Sequence, residues 1–141
     1  MSDPSSTTST TPAKKTLALD FDGVIHRYSK GWTTPGDCYD EPTAGFVEWL
    51  EKAEDAFDIV IVSSRLASVE GHKAVRQWLA KYGLERLRTS TERPPAHLTI
   101  DDRAVMFTGN WEDYPMEVLL DFKPWTERPI AVGENVEEEA T

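Results

Sequence analysis

The feature that most constrains the fold is an apolar run that stops on acids: Thr16-Leu17-Ala18-Leu19 leads straight into Asp20-Phe21-Asp22-Gly23. A short apolar run of this kind reads as a buried strand, and the glycine after it marks a tight turn. The pattern recurs. Phe57 to Val62 is mostly β-branched and alternates little, the profile of a strand buried on both faces, and it ends on Ser63-Ser64-Arg65. His97-Leu98-Thr99-Ile100 is a third strand candidate, and it ends on Asp101-Asp102.

Helical spacing fills the gaps. Pro42 precedes Thr43, an expected N-cap, and Phe46, Val47, Leu50 and Ala53 follow at helix period. A second helix is expected over 71–82, with Val75, Trp78, Leu79 and Tyr82 on one face and Gly83 as its stop. Trp49 and Trp78 fall on these helices and are expected in the core. A last helix is expected over 113–120, with Pro115 near its first turn. Val24 to Tyr39 reads as an irregular loop or small hairpin. Strands alternating with helices predict an α/β domain with a mainly parallel sheet and right-handed crossovers. Ligands of such sheets bind outside the carboxyl ends of the strands. Those ends are where Asp20/Asp22, Ser63/Ser64/Arg65 and Asp101/Asp102 fall.

The chain has 141 residues, enough for one domain, expected over 14–132. Met1–Ala13 is Ser/Thr-rich with no apolar stretch of the signal-peptide kind, and the tail 133–141 is acidic; both are expected to be disordered. No apolar run approaches a membrane span, so no membrane partner is expected. Cys38 is alone, which excludes an internal disulfide and a cysteine zinc site and points to the cytoplasm. It has no basic neighbour to lower its pKa, so no reactive thiol is expected. His72 and His97 lack partners at metal-ligand spacing. The net charge of −10 repels phosphate backbones, so extended nucleic-acid binding is not expected. Oligomeric state is left open.

Four carboxylates at one sheet edge repel and raise each other's pKa values. A divalent cation relieves this, and hard oxygen ligands favour Mg²⁺ with substrate phosphate completing the shell. Acids after strands also serve as plain loop residues and caps; the set taken together with Gly23 and Ser63 favours chemistry.

At these residues a resemblance enters. Asp20-Phe21-Asp22-Gly23-Val24 resembles motif I of the haloacid dehalogenase (HAD) superfamily, Ile59–Ser63 resembles its motif II, and Ile100-Asp101-Asp102 its acidic motif IV. The stretches 20–28, 63–65, 94–103 and 122–125 also resemble a group of small HAD-like proteins of bacteria and phages. The resemblance implies a three-layer Rossmann-like (HAD-type) domain. The interval from Asp22 to Ser63 holds only a flap and one helix, so no separate cap domain is expected. It implies a Mg²⁺-dependent phosphatase in which Asp20 attacks phosphorus and Asp22 protonates the leaving oxygen and then activates water. Asp20, the Asp22 backbone carbonyl and Asp101 or Asp102 would hold Mg²⁺. Ser63 would hydrogen-bond a phosphoryl oxygen, helped by nearby backbone N–H groups, with Gly23 and Ser64 among the substrate-binding residues. The motif III lysine position falls on Arg93, which keeps the charge but is a wide planar fork. Lys123 is its alternative, or else a surface lysine. Arg65 and Arg103 are candidates to grip a second phosphate or carboxylate, or to pair with the local carboxylates. His26, Tyr28 and Trp32 lie in the flap and would stack on a base or sugar, or simply pack it. A capless site is open, so the expected substrate is a phosphorylated small molecule, a polynucleotide end or a phosphoprotein. Two rivals stand beside this. A receiver-type phosphoacceptor also groups acids at strand ends, but its acid pair comes early and its phosphoacceptor mid-chain, the wrong order here. A HAD-fold protein that binds phosphate or nucleotide without turnover is the other, supported by Arg93.

Overall fold

In the computed structural model residues 13–127 are described. The ends expected to be disordered lie outside them, Ala13 excepted. β1 (Lys15–Asp20) has Leu17, Ala18 and Leu19 almost fully buried, apolar on both faces as a central strand must be. β2 (Phe57–Val62) pairs with it on one side and β4 (Leu98–Ile100) on the other, while β3 (Arg88–Ser90) lies outside β2. The order is β3-β2-β1-β4, and every pairing is parallel. This is the expected α/β arrangement. β3 was not expected: Arg88-Thr89-Ser90 has no apolar side chain, and it holds its place by backbone pairing of an edge strand with β2, Val60 opposite Arg88.

α1 (Phe46–Ala56) buries Phe46, Leu50 and Ala53, and α2 (Val69–Lys81) buries Val75, Trp78 and Leu79. Both stripes enter one core cluster with Leu17, Leu19, Ile59 and Ile61, which also takes in Leu84 and Leu87. The start of α1 differs from expectation. Thr43 Oγ1 donates to the carbonyl of Val24 at 2.8 Å, so the left-handed Gly45 (φ 84) takes the N-cap position without a side-chain bond. Trp49 also differs. It flanks the stripe at 39 % exposure and lines an apolar groove of about 350 Å³ with Leu19, Val24, Phe46 and Ile100. α2 starts at an N-cap the spacing did not identify, Ser68, whose Oγ accepts from Gly71 N at 2.9 Å, and Gly83 follows it with φ 72. The last helix is shorter than expected. A 3₁₀ turn (Trp111–Asp113) and α3 (Met116–Leu120) share the segment, Pro115 is the N-cap, and every residue of α3 is exposed. No helix among the described residues is long and apolar enough to cross a membrane.

Candidate active site

Strand register builds the site. Leu19 lies opposite Ile100, so Asp20 and Asp101 leave adjacent strands side by side. Asp20 lies opposite Val62, and Phe21 N donates to Val62 O at 3.0 Å, which carries the pairing one residue further, to the threshold of Ser63. Three segments far apart in sequence therefore end together. Carboxylate oxygens of Asp20, Asp101 and Asp102 lie within 4.8 Å of one another, a group that could hold a metal ion.

The electrostatics bear the mark of that crowding. Burial, then the charge of Asp101 and a hydrogen bond with Asp102, push Asp20 up to about 8. Burial also raises Asp102, against a lowering hydrogen bond from Asp20. Adjacent carboxyl groups in a poorly hydrated site cannot both ionise freely, so the pair keeps a proton to higher pH than an ordinary carboxylate would. A bound cation would displace that proton and neutralise the cluster.

Gly23 is the turn that makes room. Its φ of 83 is left-handed, and a Cβ there would lie 2.2 Å from Asp102 Oδ2. Its N–H donates to His26 O at 2.9 Å, and its carbonyl accepts from Trp125 Nε1 at 2.6 Å. Gly23→Ala therefore meets two costs. The left-handed backbone costs a side chain roughly 1–2 kcal/mol, and the overlap must push Asp102 out of the cluster. The variant is expected to melt lower and to lose most of any Mg²⁺-induced rise in melting temperature. A rise equal to the parent's would show that Asp102 is not a ligand.

Asp22 points elsewhere than the acid cluster. Its Oδ1 accepts from His26 Nδ1 at 2.9 Å, and Arg65 Nε donates to Oδ1 at 3.1 Å and to Oδ2 at 2.9 Å. Asp40 N donates to His26 Nε2 at 3.0 Å, so that nitrogen carries no proton and the proton of the buried imidazole sits on Nδ1, facing Asp22. His26 is thus a buried bridge rather than a stacking surface. Its ring lies parallel to Phe21 at 5.3 Å, inside a cluster with Trp78 and Tyr39. Tyr28, φ 61, takes a left-handed conformation uncommon for a bulky residue and lies beside this cluster, 6.0 Å from His26 between ring centres. Trp32 covers Arg65, 4.9 Å from its guanidinium carbon.

Ser63 is buried, and its Oγ accepts from Arg65 N at 3.1 Å, which caps the 3₁₀ turn Ser64–Ala67 and leaves the Ser63 O–H to donate elsewhere. Ser64 is exposed at the same corner. Arg93 Nη2 donates to Asp101 Oδ2 at 2.5 Å, which sets a guanidinium beside the acid cluster. Arg103 contributes its backbone: its N–H donates to Asp101 Oδ1 at 2.9 Å, while its guanidinium pairs with Glu127 at 3.0 Å in the open. Lys123 lies at the surface 3.6 Å from Asp121. Of the two readings of Arg65, a substrate grip or a partner for the local carboxylates, the structure has the second: its side chain is wholly buried and pairs with Asp22. Cys38 is half-buried, and burial pushes its thiol up to about 11, as an unreactive cysteine requires. His97 stacks on Phe57 at 6.3 Å. Sequence reasoning missed Trp125 as the donor that fixes the Gly23 loop; the segment Phe122–Trp125 carried a resemblance but no role.

Comparison with protein-family models, with curated proteins and with solved structures finds no match to this chain.

Proposed function

We propose that the protein is a Mg²⁺-dependent phosphohydrolase of the HAD type, a capless Rossmann-like domain that cleaves a phosphate monoester through an aspartyl-phosphate on Asp20. The observation that carries the reading is the convergence of Asp20, Asp101 and Asp102 at the carboxyl ends of two adjacent parallel strands, with Ser63 at the end of the next. The donor set suits the cation: oxygen ligands only, crowded and buried enough to push Asp20 up to about 8. Asp20, Asp101 and Asp102 would hold Mg²⁺, together with the Asp22 carbonyl that the family resemblance implies. When bound, the ion neutralises the cluster and the charge developing on the phosphoryl oxygens.

The rest is the work of the chain. The ionised Asp20 carboxylate attacks phosphorus, and the P–O bond to the leaving group breaks as the new one forms. Ser63 donates its O–H to a phosphoryl oxygen. Asp22, once it has taken up a proton, gives it to the leaving oxygen; it regains one from the water that hydrolyses the aspartyl-phosphate, which readies it for the next turnover. The substrates that suit an open site with an acidic surround are phosphorylated small molecules and polynucleotide ends.

The direct test is hydrolysis of p-nitrophenyl phosphate, expected with Mg²⁺ and absent with EDTA; undiminished hydrolysis in EDTA would overturn the reading. The second reading, phosphate binding without turnover, draws on Arg93 standing where the family has lysine. Arg93→Ala is expected to lower kcat/KM by roughly 10-fold or more, as removal of a charge-assisted contact of about 1.5–3 kcal/mol does. Arg93→Lys should retain or raise it. A parent that binds phosphate but turns over no ester, with either variant the same, favours the second reading.

A further inference from the structure

Arg65 joins three segments of chain through one planar group. Its backbone N–H is held by Ser63 Oγ, its Nε by both oxygens of Asp22, and its Nη1 by the carbonyls of Thr34 and Pro35 in the flap, each at 2.8 Å. Trp32, also in the flap, lies over the guanidinium at 4.9 Å. The backbone beneath is fixed too, since a Cβ at Gly71 would stand 2.0 Å from Arg65 O and α2 sits that close. A fork this rigid cannot turn at one end alone. Displacing the flap carbonyls from Nη1 must tilt or shift Nε, and Nε is what holds Asp22.

One donor remains. Nη2 is buried and has no hydrogen-bond partner among the described residues. In a guanidinium it shares an edge with Nε, the edge turned toward Asp22. A carboxylate on that edge can move from Nε alone to the Nε–Nη2 pair without losing its cation, so the edge is a track along which Asp22 can travel while staying paired.

We propose that Arg65 is a positioning residue that ties the placement of Asp22 to the seating of the flap, so that proton delivery to the leaving group requires a seated flap. This deepens the phosphatase reading above and rests on it. The alternative is a purely structural staple, and the leaving group separates the two. Damage to the fold lowers the rate with every ester alike. Misplacing the acid hurts an alkyl ester, whose departing alkoxide needs a proton, far more than p-nitrophenyl phosphate, whose phenolate departs without one.

The experiment compares kcat/KM for p-nitrophenyl phosphate and β-glycerol phosphate, at saturating Mg²⁺, for the full chain, Arg65→Lys and Trp32→Ala, with melting curves for each. A lysine cannot reach Asp22 and the flap carbonyls at once, so Arg65→Lys is expected to lose about 10²-fold more on the alkyl ester than on the aryl ester, the low end of general-acid assistance. Trp32 is half exposed, so its removal should leave the fold intact and shift the same ratio roughly two- to five-fold, the scale of an exposed cation–π contact. If Arg65→Lys does not fold, Trp32→Ala decides alone. Equal losses on both esters overturn the positioning role and leave the phosphatase reading standing. A parent that cleaves neither ester overturns both.

Discussion

Asp20→Asn is expected to abolish turnover of every phosphate ester and, without metal at pH 8, to melt higher than the parent. The first half follows from the role proposed for Asp20: an amide does not attack phosphorus usefully, and losing a nucleophile costs more than roughly 10³-fold. The second half follows from the crowding. Asp20 sits against Asp101 and Asp102 and is pushed up to about 8, so above that pH the folded state must tolerate another charge in the cluster. Asparagine keeps the shape and a donor toward Asp102 but brings no charge. Loss of activity and gain of metal-free stability should therefore come from one substitution. Mass spectrometry after acid quench should find one phosphoryl group on Asp20 in the parent, or in Asp22→Asn, where hydrolysis of the adduct is slowed. An adduct mapped to Asp101 or Asp102, or normal turnover by Asp20→Asn, would sink the assignment.

The metal-free protein is expected to lose stability as pH rises from about 4 to about 8, and Mg²⁺ to restore it. An unfolded chain releases the Asp20 proton near the ordinary carboxylate value, whereas the folded chain holds it until about 8. Between those values the folded state binds more protons, so each step up in pH favours unfolding. Below the lower value both states are protonated and the penalty is absent; above the higher one both are ionised and it is complete. Asp102, raised in the same direction, adds to the trend. A cation that binds only the folded cluster takes the place of the proton, so its stabilisation should grow with pH. The melting temperature in EDTA should fall by about 4 °C or more between pH 4.5 and pH 8, which for a domain near 100 residues corresponds to about 1 kcal/mol. The rise on adding Mg²⁺ should be larger at pH 8. A metal-free melting temperature that is flat over this window, with no response to Mg²⁺, would mean that the acids are not packed as described.

Apolar patterning made β1, β2, α1 and α2 legible, because each buries a stripe whose spacing is written in the chain: Leu17–Leu19, Ile59–Ile61, Phe46/Leu50/Ala53 and Val75/Trp78/Leu79. β3 was invisible, since Arg88-Thr89-Ser90 joins the sheet through its backbone alone. Trp49 was misplaced because it sits at the margin of its stripe, where helical period cannot distinguish core from groove. At the site, sequence supplied Asp20, Asp101 and Asp102 through their place after apolar runs. It could not supply the surroundings of Asp22. A carboxylate held by an arginine 43 residues on and by a histidine whose other nitrogen is occupied by Asp40 N–H is a property of tertiary packing. Nor could sequence decide for Arg65 between a substrate grip and a partner for the local carboxylates; its contacts to Asp22, Thr34 and Pro35 do.

The bond from Trp125 to the Gly23 carbonyl spans 102 residues, and it bears on the order in which the protein comes into being. A chain made from its amino end has β1, α1, β2, α2 and β3 available before Leu98 is added, and these elements already contain most of the core cluster. Asp101 and Asp102 come next, and the peg under Gly23 later still. Asp20, the proposed nucleophile, is thus synthesised well before Asp101 and Asp102, its proposed metal partners, and before the Trp125 clamp on its loop. Growing chains, and chains cut short before Trp125, carry Asp20 without the apparatus proposed to arm it, so chemical competence would arise only once synthesis has passed Trp125.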